Sequence, residues 1–248
     1  MSYKDREGMI LEYLREKRTA SVEELCRELF VSEPTMRRDL RELCRTGKIV
    51  RTYGGASYRG EPGENLPTAY REREHSEQKT VIAKKSLELI DEGDTIMVDA
   101  SSSADALLRL LAKKSSIVVI TNSAKAPITL ADTGVKLFVT GGELATGTYA
   151  YVGSHAESFL REFNADICFF SIRTLTADGA LTDNAMAENA IRRIMLSRAK
   201  RKVLMMDSKK IGEACLNTLC SLEDIDTVVC ESDVSDFCPA LKGKFLLA

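Results

Sequence analysis

Histidine is scarce in this 248-residue chain, with only His75 and His155 present. That scarcity excludes a His-rich metal centre and weakens any Ser-His-Asp triad. Cysteine pairs at metal-ligand spacing are missing too. The seven cysteines (Cys26, Cys44, Cys168, Cys215, Cys220, Cys230 and Cys238) are scattered, odd in number and never spaced C-x-x-C. They fit neither a disulfide framework nor a zinc site, and read as small apolar residues. No apolar run approaches membrane-spanning length, and Met1-Ser2-Tyr3-Lys4-Asp5 lacks the character of a signal peptide, so a cytoplasmic protein is expected. No metal and no cofactor are expected.

A large net charge is also lacking, at −2 overall, but its distribution is uneven. Residues 1–60 hold 13 Lys+Arg against 10 Asp+Glu, and the rest hold 22 against 27. Within 32–60 the counts are 7 and 3. A basic patch inside an acidic chain fits a small DNA-reading module on a larger domain with another task.

The stretch Val31-Ser32-Glu33-Pro34-Thr35-Met36-Arg37-Arg38-Asp39-Leu40-Arg41-Glu42-Leu43 reads as the DNA-reading helix. Ser32 can cap it, and Pro34 is tolerated in a first turn whose N–H groups lack partners anyway. Met36, Leu40 and Leu43 form one apolar stripe; Arg37, Arg38, Arg41 and Arg45 lie off it. A helix built this way can pack on its domain and enter a major groove at once. Upstream, Asp5 to about Lys17 reads as a helix with Met9, Ile10, Tyr13 and Leu14 on one side. Ser21-Val22-Glu23-Glu24 is a capping box opening a second helix, with Val22, Leu25, Cys26 and Leu29 inward. The short turn Phe30-Val31 completes a helix-turn-helix. Downstream, Gly47 suits a helix C-cap, and Ile49-Val50-Arg51-Thr52-Tyr53 with Gly54-Gly55 suggests a β wing. Arg51 and Tyr53 can touch the phosphate backbone there, the alternative being a plain β-hairpin with no DNA role.

V-S-x-x-T-x-R-R-D-L followed by G-K-I-V-R-x-Y-G-G-A resembles the winged helix-turn-helix signature of the DeoR family of bacterial transcriptional repressors. Ser32, Thr35, Arg37, Arg38, Asp39, Leu40, Arg51, Gly54, Gly55 and Ala56 match it. Tyr53 stands where the family often has His, and Met36 where it usually has Ile; both keep the physical character. The domain is expected to span 1–57. Residues 58–74, with Gly60, Pro62, Gly63 and Pro67 among polar residues, read as a linker, inside which Tyr70–Glu74 can begin a helix.

From 75 to 248, strand-like and helix-like runs alternate. Thr95–Asp99, Ile117–Thr121, Lys136–Thr140, Ile167–Ser171, Val203–Asp207 and Thr227–Cys230 read as strands. Lys79–Ile90, Ala104–Ala112, His155–Phe163 and Ala187–Arg198 read as helices. This is an α/β pattern with a mostly parallel sheet, in which ligands bind at the carboxyl ends of the strands. Polar or glycine residues follow five strands: Asp99 with Ser101, Ser102 and Ser103; Thr121-Asn122; Gly141-Gly142; Arg173 with Asp178 beyond; and Lys209. The serines before a helix form a phosphate cradle, although Ser101 or Ser102 can equally serve as its cap. Gly141-Gly142 alone fits a simple turn. Together they suit a small anionic, hydroxyl-rich ligand with Lys209 or Arg173 as counter-charge.

This half also resembles the DeoR family, in its sugar-phosphate-sensing domain. The matching residues are Lys79, Ile82-Ala83, Gly93-Asp94-Thr95, Asp99, Ser101–Ser103, Thr121-Asn122, Gly141-Gly142, Gly153, Asp166, Gly179, Leu181-Thr182, Glu188 and Asp207-Ser208-Lys209. The resemblance implies a fold related to ribose-5-phosphate isomerase and a phosphorylated sugar as effector, with Glu188 in the site. Arg173 either contacts that effector or pairs with Asp178 or Glu188. Double-stranded operator DNA and further copies of the same chain, as a dimer or tetramer, are the other expected partners. The alternative is a phosphosugar isomerase-like enzyme with Asp99 as base and Glu143, Asp178 or Glu188 as partner. The chain lacks the paired-carboxylate D-G-x-D-E loop of those isomerases, and a shared fold does not carry chemistry, so no enzymatic activity is expected. The tail 231–248 matches nothing, though Lys242–Leu247 can add an edge strand.

Overall fold

The computed structural model describes residues 3–17, 19–45, 49–58, 75–112, 114, 116–145, 147–241 and 243–248. The expected cap at Gly47, residues 59–74 of the expected linker and the helix start at Tyr70 lie outside them. The chain divides into two compact units, Met1–Leu66 and Pro67–Ala248.

In the first unit, α1 (Tyr3–Lys17), α2 (Val22–Leu29) and α3 (Glu33–Arg45) pack against a small antiparallel sheet. The capping box at α2 forms as the sequence predicts. Ser21 Oγ accepts from the Glu24 N–H at 3.1 Å, and Glu24 accepts from the Ser21 N–H at 2.7 Å. The core gathers Ile10, Leu14, Val22, Leu25, Leu29, Met36, Leu40, Leu43 and Ile49. Met9 is not part of it: it lies between the two inward stripe positions and stays 43% exposed. Cys26 is only half-buried. One buried polar contact crosses this core. Arg6 of α1 donates Nε and Nη2 to the buried Asp39 of α3, at 2.6 and 3.1 Å. The α2–α3 turn is made by Phe30, in the left-handed region at φ 52° and 93% exposed.

The wing consists of β2 (Ile49–Thr52) and β3 (Gly55–Tyr58), and β3 also pairs with β1 (Thr19–Ser21), giving the order β1-β3-β2. The two wing glycines have different reasons. Gly54 turns the hairpin at φ +83°. Gly55 faces β1 so closely that a Cβ would stand 2.1 Å from the Ala20 carbonyl oxygen.

The second unit is built on seven strands, all parallel: β4 (Thr95–Val98), β5 (Val118–Thr121), β6 (Lys136–Val139), β9 (Ala165–Phe170), β12 (Ala199–Met205), β14 (Thr227–Cys230) and β15 (Phe245–Leu247). Their spatial order is β15-β14-β12-β9-β4-β5-β6. The chain therefore winds outward one way from β4 through β5 and β6, and the other way from β9. Successive strand residues alternate between two apolar layers. Ile96, Val98, Phe169, Val203 and Met205 meet α4 (Ser76–Leu87) and α5 (Ser102–Leu111) through Ile82, Leu107 and Leu108. Met97, Phe170 and Leu204 meet α7 (Ser154–Arg161) and α8 (Met186–Arg198) through Leu160, Ile191 and Met195. Both faces are covered, which is why these strands read as nearly unbroken apolar runs.

Sequence periodicity does not reveal the shorter elements. These are α6 (Ala126–Leu130), the hairpin of β7 (Glu143–Leu144) and β8 (Tyr151–Val152), and an antiparallel sheet of β10 (Thr174–Leu175), β11 (Ala180–Asp183) and β13 (Asn217–Ser221). The expected edge strand in the tail forms at Phe245–Leu247. No helix among the described residues is long and apolar enough to cross a membrane.

Candidate functional site

On α3 the apolar stripe and the basic face separate as the sequence predicts. Met36, Leu40 and Leu43 are fully buried, while Arg37, Arg38, Arg41 and Arg45 are exposed. The arginines are not equivalent. Glu33 holds Arg37 through Nε at 2.7 Å, and Glu42 holds Arg45 at 3.1 Å. Arg38 and Arg41 have no hydrogen bond or ion pair to any described residue, so their guanidinium groups are already free for an acceptor. Ser32 and Thr35 share a hydroxyl contact of 2.9 Å at the start of the helix, and the Ser32 carbonyl accepts the first helical bond from Met36. Asp39, which matched the motif, faces inward to Arg6 and is structural. At the wing, Tyr53 stands fully exposed beside Gly54. Arg51 is half-buried, and its Nη1 is enclosed without a partner.

In the second unit, the seven parallel strands deliver their carboxyl ends to one edge, and the winding reverses between β4 and β9. The first residue after β4 is Asp99, and its carboxylate is fully occupied. Oδ1 accepts from the Ser101 N–H at 3.1 Å; Oδ2 accepts from the Ser171 N–H at 3.3 Å and from Arg192 Nε at 2.9 Å. One side chain thus staples together the loops that follow the two central strands. A carboxylate so engaged is held as a structural acceptor between two loops and an arginine.

Arg192 is the residue that sequence reasoning missed. It is 3% exposed and meets three carboxylates: Asp99 at 2.9 Å, Asp183 at 3.0 Å and Glu188 at 3.2 Å. Nη1 also donates to Asn189. Burial alone would push this guanidinium down, but Asp183, Asp99 and Glu188 outweigh it and hold it above the ordinary arginine value. The signal was present in α8, because Glu188 and Arg192 share a helical stripe with the buried Ile191 and Met195. A charged pair on an apolar stripe needs partners from elsewhere.

The remaining candidates divide. Ser101 caps α5, accepting from the Ala104 N–H at 3.2 Å, so its hydroxyl is used structurally. Ser102 and Ser103 are buried in the first turn, and Ser103 Oγ has no hydrogen-bond partner. Thr121 accepts from the Ser123 N–H. Asn122 donates Nδ2 to the Tyr151 carbonyl at 3.0 Å, while its Oδ1 is buried and unpartnered. Gly141 and Gly142 both take positive φ, and a Cβ on Gly142 would come within 2.9 Å of the Val152 carbonyl oxygen, so this pair admits β8. Arg173 is half-buried and pairs with neither Asp178 nor Glu188. Glu188 belongs to Arg192, and Asp178 accepts from the Thr176 hydroxyl.

Asp178 is not brought to the others. It sits at the tip of the β10–β11 hairpin next to Gly179, whose carbonyl accepts from Leu222, and Leu222 precedes β14 rather than following it. The hairpin carries it toward the opposite edge of the sheet. Lys209 is exposed on the 3₁₀ turn Ser208–Lys210, whereas Lys210 turns inward and donates to Ser171 Oγ at 2.6 Å. Beside it, Glu231 accepts from the Ser208 N–H and from Ser208 Oγ, the latter at 2.7 Å. Burial pushes the Glu231 carboxyl up, but those bonds outweigh it and hold it below the usual range. The cysteines are all free, and burial pushes the Cys230 thiol up to about 12 and Cys220 up to about 11, which suits inert core residues. The described residues contain no cluster able to hold a metal ion.

Two family models cover most of the chain. The DeoR-like helix-turn-helix domain matches residues 6–61, and the DeoR C terminal sensor domain matches 74–232. The HTH-type transcriptional regulator GlpR of Haloferax volcanii is 32% identical over 225 residues, covering 91% of this chain and 88% of that protein. The glycerol-3-phosphate regulon repressor of Escherichia coli is 27% identical over 231 residues, covering 92% and 90%. Ribose 5-phosphate isomerase A of Methanocaldococcus jannaschii superposes on 55% of this chain and 55% of its own, with a TM-score of 0.42 and 17% identity. An overlap of that extent says nothing of chemistry. With an arginine-faced reader helix in its first unit and a parallel sheet crowned by polar loops in its second, the chain belongs to the DeoR family of DNA-binding transcriptional regulators.

Proposed function

We propose that this chain is a ligand-controlled repressor of carbohydrate-metabolism genes. Its reader helix holds operator DNA, and a phosphorylated sugar bound at the strand-end crevice alters that grip. The observation that carries the DNA half is the state of Arg38 and Arg41, exposed and without a partner among the described residues, on a helix whose opposite stripe is fully buried. A guanidinium with no partner of its own is ready for bidentate contact with a guanine edge or a phosphate. Thr35, Ser32, Arg37 and, from the wing, Arg51, Tyr53 and Gly54 complete the contact surface. A single module neutralises few phosphates, so the chain acts as a homo-oligomer on paired half-sites, in the cytoplasm where the DNA is.

The effector half is supported by two buried polar atoms without partners among the described residues, Ser103 Oγ in the first turn of α5 and Asn122 Oδ1 on the loop after β5, the neighbour of β4. Unpartnered buried groups are rare, and a hydroxyl-rich ligand supplies the missing bonds. The first-turn amides of α5 add an anion-receptive end. Ser102 and Arg173, with Asp99 and Glu188 behind them, belong to the same crevice. The E. coli relative is named for glycerol 3-phosphate, which fits the ligand class.

The test joins operator binding to ligand screening. Arg38→Ala and Arg41→Ala should each weaken operator binding and shorten the slope of log affinity against log salt by about one. Phosphorylated sugars, but not their free forms, should raise the melting temperature. Operator affinity unchanged in both variants would overturn the DNA reading, and a panel with no thermal response would overturn the effector reading.

A further inference from the structure

We propose that Lys210, held in position by Glu231, is the cation that recognises the anionic group of the ligand in the strand-end crevice. The inference rests on the effector reading above and sharpens it. Two lysines stand side by side after β12, and sequence alone favours neither. They lie on a 3₁₀ turn, where successive side chains diverge by about 120°, so only one can face the crevice. Lys209 points to solvent, and its N–H is spent on Asp207 Oδ1 at 3.2 Å.

Lys210 points the other way. Its Nζ lies 2.6 Å from Ser171 Oγ, at the carboxyl end of the central strand β9. Ser171 donates its one hydroxyl proton to the Met205 carbonyl, so toward Lys210 it can only accept, and this fixes the direction of the ammonium bond. The Ser171 N–H reaches Asp99 Oδ2, and Asp99 Oδ1 takes the Ser101 N–H. Lys210 is therefore tied through Ser171 and Asp99 to the mouth of α5. That mouth carries the first-turn amides and the buried Ser103 hydroxyl that lacks a partner. An ammonium beside a helix N-terminus suits one phosphomonoester or carboxylate, with hydroxyls carried alongside.

Glu231 makes the placement firm. Both its oxygens accept from the Ser208 N–H at 3.1 Å, Oε1 accepts from Ser208 Oγ, and Oε2 accepts from Cys230 Sγ at 3.4 Å. Asp207 closes the turn, its carbonyl accepting from the Lys210 N–H at 3.0 Å. Glu231 follows β14, so the end of that strand clamps the turn that follows β12. It is a positioning residue and touches no ligand.

Calorimetric titration of the full chain tests this. The probes are inorganic phosphate, glycerol 3-phosphate and ribose 5-phosphate, with glycerol and ribose as uncharged counterparts. Lys210→Met should weaken binding of the phosphorylated probes by about tenfold or more and leave any binding of the free sugars unchanged. Lys210→Arg should recover most of it, and Lys209→Met should stay within about twofold of wild type, since an exposed lysine adds little. Glu231→Gln should lower the ratio of phosphorylated to free-sugar affinity; a purely structural role would lower both together. Operator binding without ligand, equal to wild type, certifies the fold of each variant. Wild-type protein that binds none of the phosphorylated probes overturns the effector reading, and this inference with it. Wild-type binding that survives Lys210→Met, or is lost equally in Lys209→Met, overturns this inference alone.

Discussion

Replacing Arg192 by methionine should be the most damaging single change in the sensor unit. Methionine is of similar length but uncharged, so three carboxylates within 3.2 Å of the missing guanidinium are left near one another in the buried interior. At charge separations of about 4 Å and an effective dielectric constant of about 20, each pair is worth about 4 kcal/mol. Desolvating the guanidinium costs several kcal/mol and the carboxylates repel one another, so the net loss is about 5 kcal/mol, the upper end for a broken buried pair. That rivals the whole stability of many domains. Calorimetric melting of the full chain should show the sensor-unit transition falling by about 10–20 °C. Arg192→Lys keeps the charge but not the fork that serves Asp99, Asp183 and Glu188 together, and should lose about 3 kcal/mol, or two charge-assisted bonds. Adding Asp99→Asn and Asp183→Asn to Arg192→Met should restore part of the loss, because the stranded charge is then removed. An Arg192→Met protein melting within about 2 °C of the parent would refute the reasoning, since no buried ionic hub can be lost so cheaply.

Other perturbations follow from single positions. Gly55→Ala drives a Cβ to 2.1 Å from the Ala20 carbonyl and should cost about 3 kcal/mol, whereas Gly54→Ala meets open space and should cost only the left-handed strain of about 1–2 kcal/mol; urea unfolding of the two variants gives the comparison. Phe30→Gly should leave stability unchanged or raise it by up to about 1 kcal/mol, because an exposed left-handed Phe has strain to lose and little packing to keep. A clear loss on the same urea curves would mean that the ring packs in solution. Asp166 is held below the usual carboxylate range by its bond from Lys200 and by the Thr95 N–H. A depressed carboxylate stabilises above its unfolded pKa and loses that contribution as pH falls through the folded one. Asp166→Asn should therefore cost about 1 kcal/mol at pH 7, and the gap from wild type should close below about pH 4. A gap independent of pH would assign the loss to packing.

The reader helix was legible because its two faces obey one period, with Met36, Leu40 and Leu43 set against the arginines. The capping box at Ser21 and Glu24 was legible for a similar reason, since its chemistry is local. The parallel strands announced themselves as apolar runs, and their polar ends could be read off one by one. What could not be read is what those polar groups do to each other. Asp99 looks like a ligand contact in sequence, and only the pairing of β4 with β9 makes it a staple. Arg192 looks like one of two solvent arginines, until the strand order places Asp99 above it. Lys209 and Lys210 differ only in the phase of a turn that no pattern encodes. Gly55 needed β1, a strand of three residues too short to leave a period.

The polar cluster at the strand ends is assembled from parts that lie far apart along the chain. Asp99 meets Ser171 across 72 residues and Arg192 across 93. Closing such long loops is entropically slow, and nothing local holds either contact in advance. Binding of the proposed effector should therefore switch on late in refolding, together with the central β4–β9 pairing. On the reading proposed above, a nascent chain still missing α8 would carry a complete helix-turn-helix and no way of answering the effector.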